Sequence, residues 1–174
     1  MHIIALILAV AGGAAFWWWR LKSIGEAASE VTDVAGRAWG KYKRLKFQKK
    51  SDASVFDAVE DPATAGVIMM MAMAQEGAGL TPAAEAAIAR EVTGAMGIAD
   101  GTEMMVFSKW VASHVEDANN VSLRYAKLWG AKLSPDERRD LHAMVRRVAE
   151  ADGAVSGVVA DKLRRLHERL GLQG

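Results

Sequence analysis

The feature that most limits the fold of this chain is an uncharged apolar run close to its N-terminus. Ile3 to Trp19 comprises 17 residues without a charge. As a helix this run rises about 26 Å, at about 1.5 Å per residue, slightly less than a hydrocarbon core of about 30 Å. Because backbone polar groups in lipid must be satisfied within the segment, the run predicts a single transmembrane helix, and we place the anchor at residues 1–22.

The residues that follow the run predict the membrane edge. Indole rings favour the headgroup zone and long cationic side chains reach into it. The predicted interface consists of Trp17, Trp18, Trp19, Arg20 and Lys22. A cleaved signal peptide is the alternative, but it requires a basic region before the apolar run, where only the terminal amine and His2 stand. The positive-inside tendency predicts an inner (plasma) membrane protein with its N-terminus outside and the rest cytoplasmic.

Charge is divided unequally along the chain. Residues 1–50 carry nine Lys/Arg and three acids, a net charge of +6, whereas residues 51–174 carry thirteen and eighteen, a net charge of −5. Seven cations form a run without an intervening acid: Arg37, Lys41, Lys43, Arg44, Lys46, Lys49 and Lys50. So close to a span, these cations, together with Arg20 and Lys22, favour anionic lipid headgroups, at about 1 kcal/mol each. Aromatic residues between them leave nucleic-acid binding as the less favoured alternative.

Residues 23–51 are predicted to form a helical stalk after the anchor. Apolar residues recur at spacings of three and four from Ile24 to Leu45, which is a heptad-like pattern. Most of them are alanine, and Gly25, Gly36 and Gly40 lower the helix propensity. A weak coiled-coil homodimer and a helix lying on the lipid surface are therefore the two alternatives for this segment.

Residues 52–174 are predicted to form one all-helical domain. Three helix starts each combine an N-capping residue with proline at the first helical position: Asp61-Pro62, Thr81-Pro82 and Ser134-Pro135. Glu137 completes a capping box with Ser134. Apolar residues at helical spacing predict further helices over Thr102 to Glu116, over Val121 to Lys132, and around Val159 to Leu170. The segment Ile68 to Met71 is apolar almost all round, which predicts the central buried helix.

A shift of 74 positions aligns two parts of this domain without a gap. It places Val67 to Ile98 over Leu141 to Leu172, and each part reads as helix, acid-and-glycine turn and second helix. The aligned pairs are Glu76 with Glu150, Gly79 with Gly153, and Gly97 with Gly171. The sequence therefore predicts two repeated helical hairpins.

Catalytic patterns are not evident in the sequence. The chain has no cysteine, which excludes disulfides, thiolate metal sites and cysteine nucleophiles. The four histidines are His2, His114, His142 and His167, and none has a Ser or acidic partner at a recognisable spacing. His114 lies close to Glu116 and Asp117 but is interpreted as the polar end of a helix. We expect a non-enzymatic protein.

The end of the domain carries a helix start, an Ala-Asp-Gly turn and a Leu-Gly-Leu closure, at Leu133 to Arg138, Val148 to Ser156 and Leu170 to Leu172. This pattern resembles the tellurite-resistance TerB-like family, which includes the N-terminal region of DjlA-type membrane co-chaperones. The resemblance covers about Asp61 to Leu172 and implies an all-helical bundle. J-domain activity is not implied, because the only Pro-Asp pair follows Ser134 and not histidine.

The resemblance also implies a metal site. Family members pair an Asp-Gly turn with a glutamate seven residues later, and in TerB such acids are associated with a divalent metal. Here Asp152 is present but position 159 is valine, whereas Glu85 is present but position 78 is alanine. If the repeat brings the turns together, one composite oxygen site for Ca²⁺ or Mg²⁺ is implied, formed by Glu76, Glu85, Glu150 and Asp152. The alternative is that these acids serve the turn and a helix N-terminus.

Three functions follow as expectations. The first is a membrane-tethered, non-enzymatic interaction module that responds to stress by binding an unidentified protein partner. The second is a metal-handling, tellurite-response protein. The third is nucleic-acid binding through the stalk. A helical bundle alone does not decide among them.

Overall fold

The computed structural model of the chain describes residue 56 and residues 58–172. This part contains six α-helices and no β-strand, so the all-α class is confirmed. The helices are α1 (Pro62–Gln75), α2 (Pro82–Thr93), α3 (Thr102–Ala112), α4 (Ala118–Lys132), α5 (Pro135–Ala149) and α6 (Gly157–Arg169). None of these six helices is long and apolar enough to cross a membrane. The predicted anchor (1–22) and stalk (23–51) lie outside the described residues.

The three predicted helix starts are confirmed. The carboxylate of Asp61 accepts the Thr64 N–H at 2.7 Å, and the Thr81 hydroxyl accepts the N–H of residue 84 at 3.1 Å. At the start of α5, the Ser134 N–H donates to Glu137 Oε2 at 2.7 Å, and the Ser134 hydroxyl accepts the Glu137 N–H at 3.3 Å. Each proline occupies a position whose N–H a helix leaves unused.

The turn between α3 and α4 differs from its prediction. The helix expected to reach Glu116 ends at Ala112, because the N–H groups of His114 and Val115 bond to carbonyls three residues earlier, both at 3.0 Å. Asp117 then caps α4, whose first residue is Ala118 and not Val121. The five intervening residues form a tight turn whose outer surface is exposed.

Helix α1 is the centre of the domain, as predicted. Every residue from Ala65 to Ala74 is buried, and α1 packs against α2, α3, α4 and α5. The methionines of this helix have at most 1% of their surface exposed. Full burial of such a side chain stabilises the folded state by about 1.5–3 kcal/mol, so the methionines are core and not a binding surface.

Four glycines of the backbone fit the predicted 74-residue shift. The described part has four residues with positive φ, and all are glycines: Gly79 (92°), Gly97 (67°), Gly153 (118°) and Gly171 (68°). The 74-residue shift converts the first pair into the second. Helix α1 and its counterpart α5 end at aligned positions, and both are followed by a glutamate in the C-cap position.

The segment that leads into α1 is attached to α4. The Tyr125 hydroxyl donates to the Phe56 carbonyl at 3.3 Å, and the indole N–H of the buried Trp129 donates to the Pro62 carbonyl at 3.2 Å. The Arg124 guanidinium lies 5.3 Å from the centre of the Phe56 ring. These contacts fix Phe56 and Pro62 against α4.

Candidate functional site

The four acids of the predicted metal site are engaged in separate interactions. Glu76 follows α1, and its Oε1 lies 2.5 Å from the Lys162 ammonium and accepts the Ala118 N–H at 2.7 Å. A bound ammonium therefore already neutralises Glu76. Because Ala118 is the first residue of α4, Glu76 also satisfies an otherwise unused helix donor.

The other three acids lie against different partners. Glu85, in the first turn of α2, pairs with Lys109 of α3, and Glu150 lies 3.9 Å from Arg146. Asp152 accepts the Thr81 hydroxyl at 2.9 and 2.7 Å through its two oxygens.

Asp152 therefore ties the α5–α6 turn to the start of α2. Among residues 58–172 and residue 56, no three His, Asp or Glu side chains gather into a group that could hold a metal ion. The structure thus does not bring Glu76, Glu85, Glu150 and Asp152 together as one site, and their contacts favour the alternative in which these acids serve turns and helix ends.

The Glu76 interaction belongs to a cluster that the sequence did not indicate. The Lys162 ammonium also lies 3.0 Å from Asp117 Oδ1, and only 12% of the Lys162 side chain is exposed. Burial acts to lower the pKa of Lys162, but hydrogen bonds to Glu76 and Asp117 outweigh burial and raise it. The backbone N–H of Asn119, and then Lys162, hold the pKa of Asp117 below its usual value. This cluster joins α1, α4 and α6 and is structural in character.

An open pocket lies beside the α3–α4 turn. It has a volume of about 590 Å³, within the range of about 300–1,000 Å³ that is usual for ligand sites. Its walls come from the α3–α4 turn, from one face of α4 and from Phe56, which lies in the segment that leads into α1 (the entry segment). The lining residues are Phe56, His114, Val115, Glu116, Asn120, Val121, Leu123 and Arg124.

His114 has a defined tautomer at this pocket. Its Nδ1 lies 2.8 Å from the Trp110 carbonyl, and because a carbonyl only accepts, Nδ1 carries the proton in the neutral ring. The ring also contacts the Trp110 ring, with centres 4.8 Å apart. Nε2 of the neutral ring is therefore left with a lone pair, and the ring orientation is restrained. The site presents a hydrogen-bond acceptor to an incoming group.

Sequence reasoning missed most of this pocket. His114 and Glu116 were noticed as neighbours but interpreted as a helix end. Leu123 is 60% exposed and lies off the buried stripe of α4, which includes Val121, Tyr125 and Trp129. A large apolar residue outside the stripe was the available signal, but a single exposed leucine is common on protein surfaces.

The two C-terminal histidines form a pair away from this pocket. The rings of His142 in α5 and His167 in α6 meet edge to face with centres 4.9 Å apart. His142 Nε2 donates to the Leu163 carbonyl at 3.1 Å. Burial, more than the nearby charges of His167 and Arg146, lowers the pKa of His142. The pair is a packing contact between two helices.

The fold and site together define an all-helical domain with an open pocket of mixed character. No model of a known protein family, no curated protein and no solved structure matches this chain. The TerB-like resemblance therefore stays an expectation from the quoted motifs.

Proposed function

We propose that this protein is a membrane-anchored, non-enzymatic interaction module of the TerB-like class, whose cytoplasmic helical domain binds a protein partner at the pocket beside the α3–α4 turn. The observation that carries the proposal is the position of Leu123. Its side chain is 60% exposed at the wall of a pocket, and it is the one of three exposed large apolar residues in the described part, with Val106 and Val158, that lines this pocket. A concave site that combines apolar side chains with a few polar groups is the usual form of a binding site.

The character of the walls favours a protein segment as the ligand. Phe56, Val115 and Leu123 supply apolar contact area, and His114 and Asn120 supply hydrogen-bonding groups at the same site. Protein interfaces commonly place an apolar anchor in a pocket with polar groups around it.

The pocket is close to the point at which the predicted stalk joins the domain. Phe56, which lines the pocket, follows the stalk by a few residues in sequence. If residues 1–22 anchor the chain, a partner bound here is held near the membrane surface. The role in a stress response rests on the family resemblance alone.

Affinity capture of the full-length protein from membranes in mild detergent tests the proposal. Leu123→Glu places a charge in the pocket, and Val158→Glu changes a residue with 61% exposure that does not line it. We expect a protein that copurifies with the wild type and with Val158→Glu to be lost with Leu123→Glu. The same set of proteins with all three would contradict the proposal, as would recovery of the intact chain in the soluble fraction.

A further inference from the structure

Three groups at the rim of the pocket are free to accept hydrogen bonds. In the part of the chain that the structure describes, the Glu116 carboxylate has no hydrogen-bond or ion-pair partner. The Nε2 of His114 retains its lone pair because Nδ1 donates to Trp110. The Asn120 side-chain amide is exposed at the same rim. A ligand with N–H donors, and with positive charge for Glu116, is complementary to this rim.

The one cation in the lining is already engaged. The Arg124 guanidinium lies over the Phe56 ring and makes further interactions. It therefore belongs to the wall and does not neutralise Glu116. The remaining walls are apolar, so the pocket favours a segment in which basic and apolar side chains alternate.

Residues 41–50 of this chain have that composition. They read Lys-Tyr-Lys-Arg-Leu-Lys-Phe-Gln-Lys-Lys, with six cations and three large apolar or aromatic residues. Five residues separate Lys50 from Phe56, and an extended chain covers up to about 3.3–3.6 Å per residue. The linker between Lys50 and Phe56 is thus long enough for residues 41–50 to reach the pocket, which Phe56 itself lines. Residues 51–174 carry a net charge of −5, so the domain as a whole attracts this basic segment.

We infer that residues 41–50 dock in this pocket, with a cation on Glu116 and His114 and an apolar side chain against Leu123, and that anionic lipid competes for the same residues. This inference rests on the proposed function, because it concerns regulation of the same pocket. A short tether gives the segment a millimolar effective concentration, so a weak contact suffices for occupancy. Lipid contact is worth about 1 kcal/mol per basic residue and shifts the population towards an open pocket.

Engineered cysteines test the contact in the full-length protein, since the chain has none of its own. Gln48→Cys and Asn120→Cys leave every charge of the segment and the rim in place. The control pairs Gln48→Cys with Ala99→Cys, which is exposed near the opposite end of α3. Disulfide formation is followed in nanodiscs of zwitterionic phosphatidylcholine and in nanodiscs that also contain anionic phosphatidylglycerol.

In zwitterionic nanodiscs we expect the 48–120 disulfide to form within one chain about tenfold faster than the 48–99 disulfide. Anionic lipid and the added substitution Glu116→Lys should each remove that advantage, and thermal melts establish that the variants fold. Equal rates for the two pairs, a disulfide between two chains, or a rate insensitive to Glu116→Lys would overturn the inference. The proposed function is judged separately, since loss of a partner with Leu123→Glu does not depend on the crosslink.

Discussion

The ammonium of Lys162 in α6 lies 3.0 Å from Oδ1 of Asp117, the residue that caps α4. The same ammonium lies 2.5 Å from Glu76, directly after α1. One largely buried cation therefore joins the end of α1 and the start of α4 to the middle of α6. Without it, two carboxylates would face each other in a partly desolvated place, and repulsion would replace attraction.

Lys162→Met should lower the free energy of unfolding by about 2–3 kcal/mol, because it leaves two carboxylates without their cation. Urea denaturation of the purified protein measures the change. Lys109→Met is the matched control, since it removes an exposed lysine that pairs with Glu85. We expect that control to cost less than about 1 kcal/mol. Equal losses in the two variants would show that the Lys162 cluster is not a stabilising element.

The half-buried position of His142 predicts a dependence of stability on pH. Burial lowers its pKa below the ordinary value of 6.5 in the folded protein. The unfolded chain then binds more protons at mildly acidic pH, so the stabilisation is present above the ordinary pKa and is lost as pH falls below it. The free energy of unfolding should decrease from pH 7 to pH 5, and His142→Gln should make this decrease smaller.

Denaturation of the wild type and of His142→Gln at matched pH values measures the effect. Asp140 acts in the opposite direction, because burial raises its pKa. The difference between the two proteins therefore isolates His142. Identical pH profiles would mean that His142 titrates alike in the folded and unfolded chain.

The turns at Gly79 and Gly153 predict similar responses to alanine. Gly79 and Gly153 have φ of 92° and 118°, and an added methyl group meets no heavy atom within 4 Å at either position. Gly79→Ala and Gly153→Ala should therefore each cost about 1–2 kcal/mol through backbone strain alone. Gly130→Ala in α4 also meets no atom and has no such φ, so it should stabilise by up to about 1 kcal/mol. A stabilising Gly153→Ala would contradict the backbone strain expected at this turn.

Calorimetry with Ca²⁺ and Mg²⁺ tests the predicted metal site. We expect no saturable heat at millimolar metal, because Glu76 and Glu85 pair with lysines and Asp152 accepts a threonine hydroxyl. A saturable heat that disappears in the double variant Glu150→Gln, Asp152→Asn would instead support the composite site.

Local chemistry explains which parts of the fold were predictable. The start of α5 requires only Ser134, Pro135 and Glu137, which lie within four residues and were identified together. The turn glycines were predictable because the 74-residue shift pairs Gly79 with Gly153 and Gly97 with Gly171. The central position of α1 followed from a stretch apolar on every face, which only a buried helix can satisfy.

Contacts between distant residues were not predictable. Lys162 and Asp117 are 45 positions apart, and helical periodicity places each on a face without indicating which helix that face meets. Glu76 was therefore predicted to be a metal ligand, because the sequence did not indicate its ion pair with Lys162. The pocket was missed because its residues come from a turn, a helix and an entry segment that no sequence spacing connects.

The central position of α1 also determines how its backbone meets solvent. Four of the other five helices cover it, so detachment of any one neighbour leaves the remaining three in place. Its amide hydrogens should therefore exchange with deuterium only when the whole domain opens, later than those of α6. Peroxide should reach the methionines by the same route, so their oxidation rate would report the frequency of global opening.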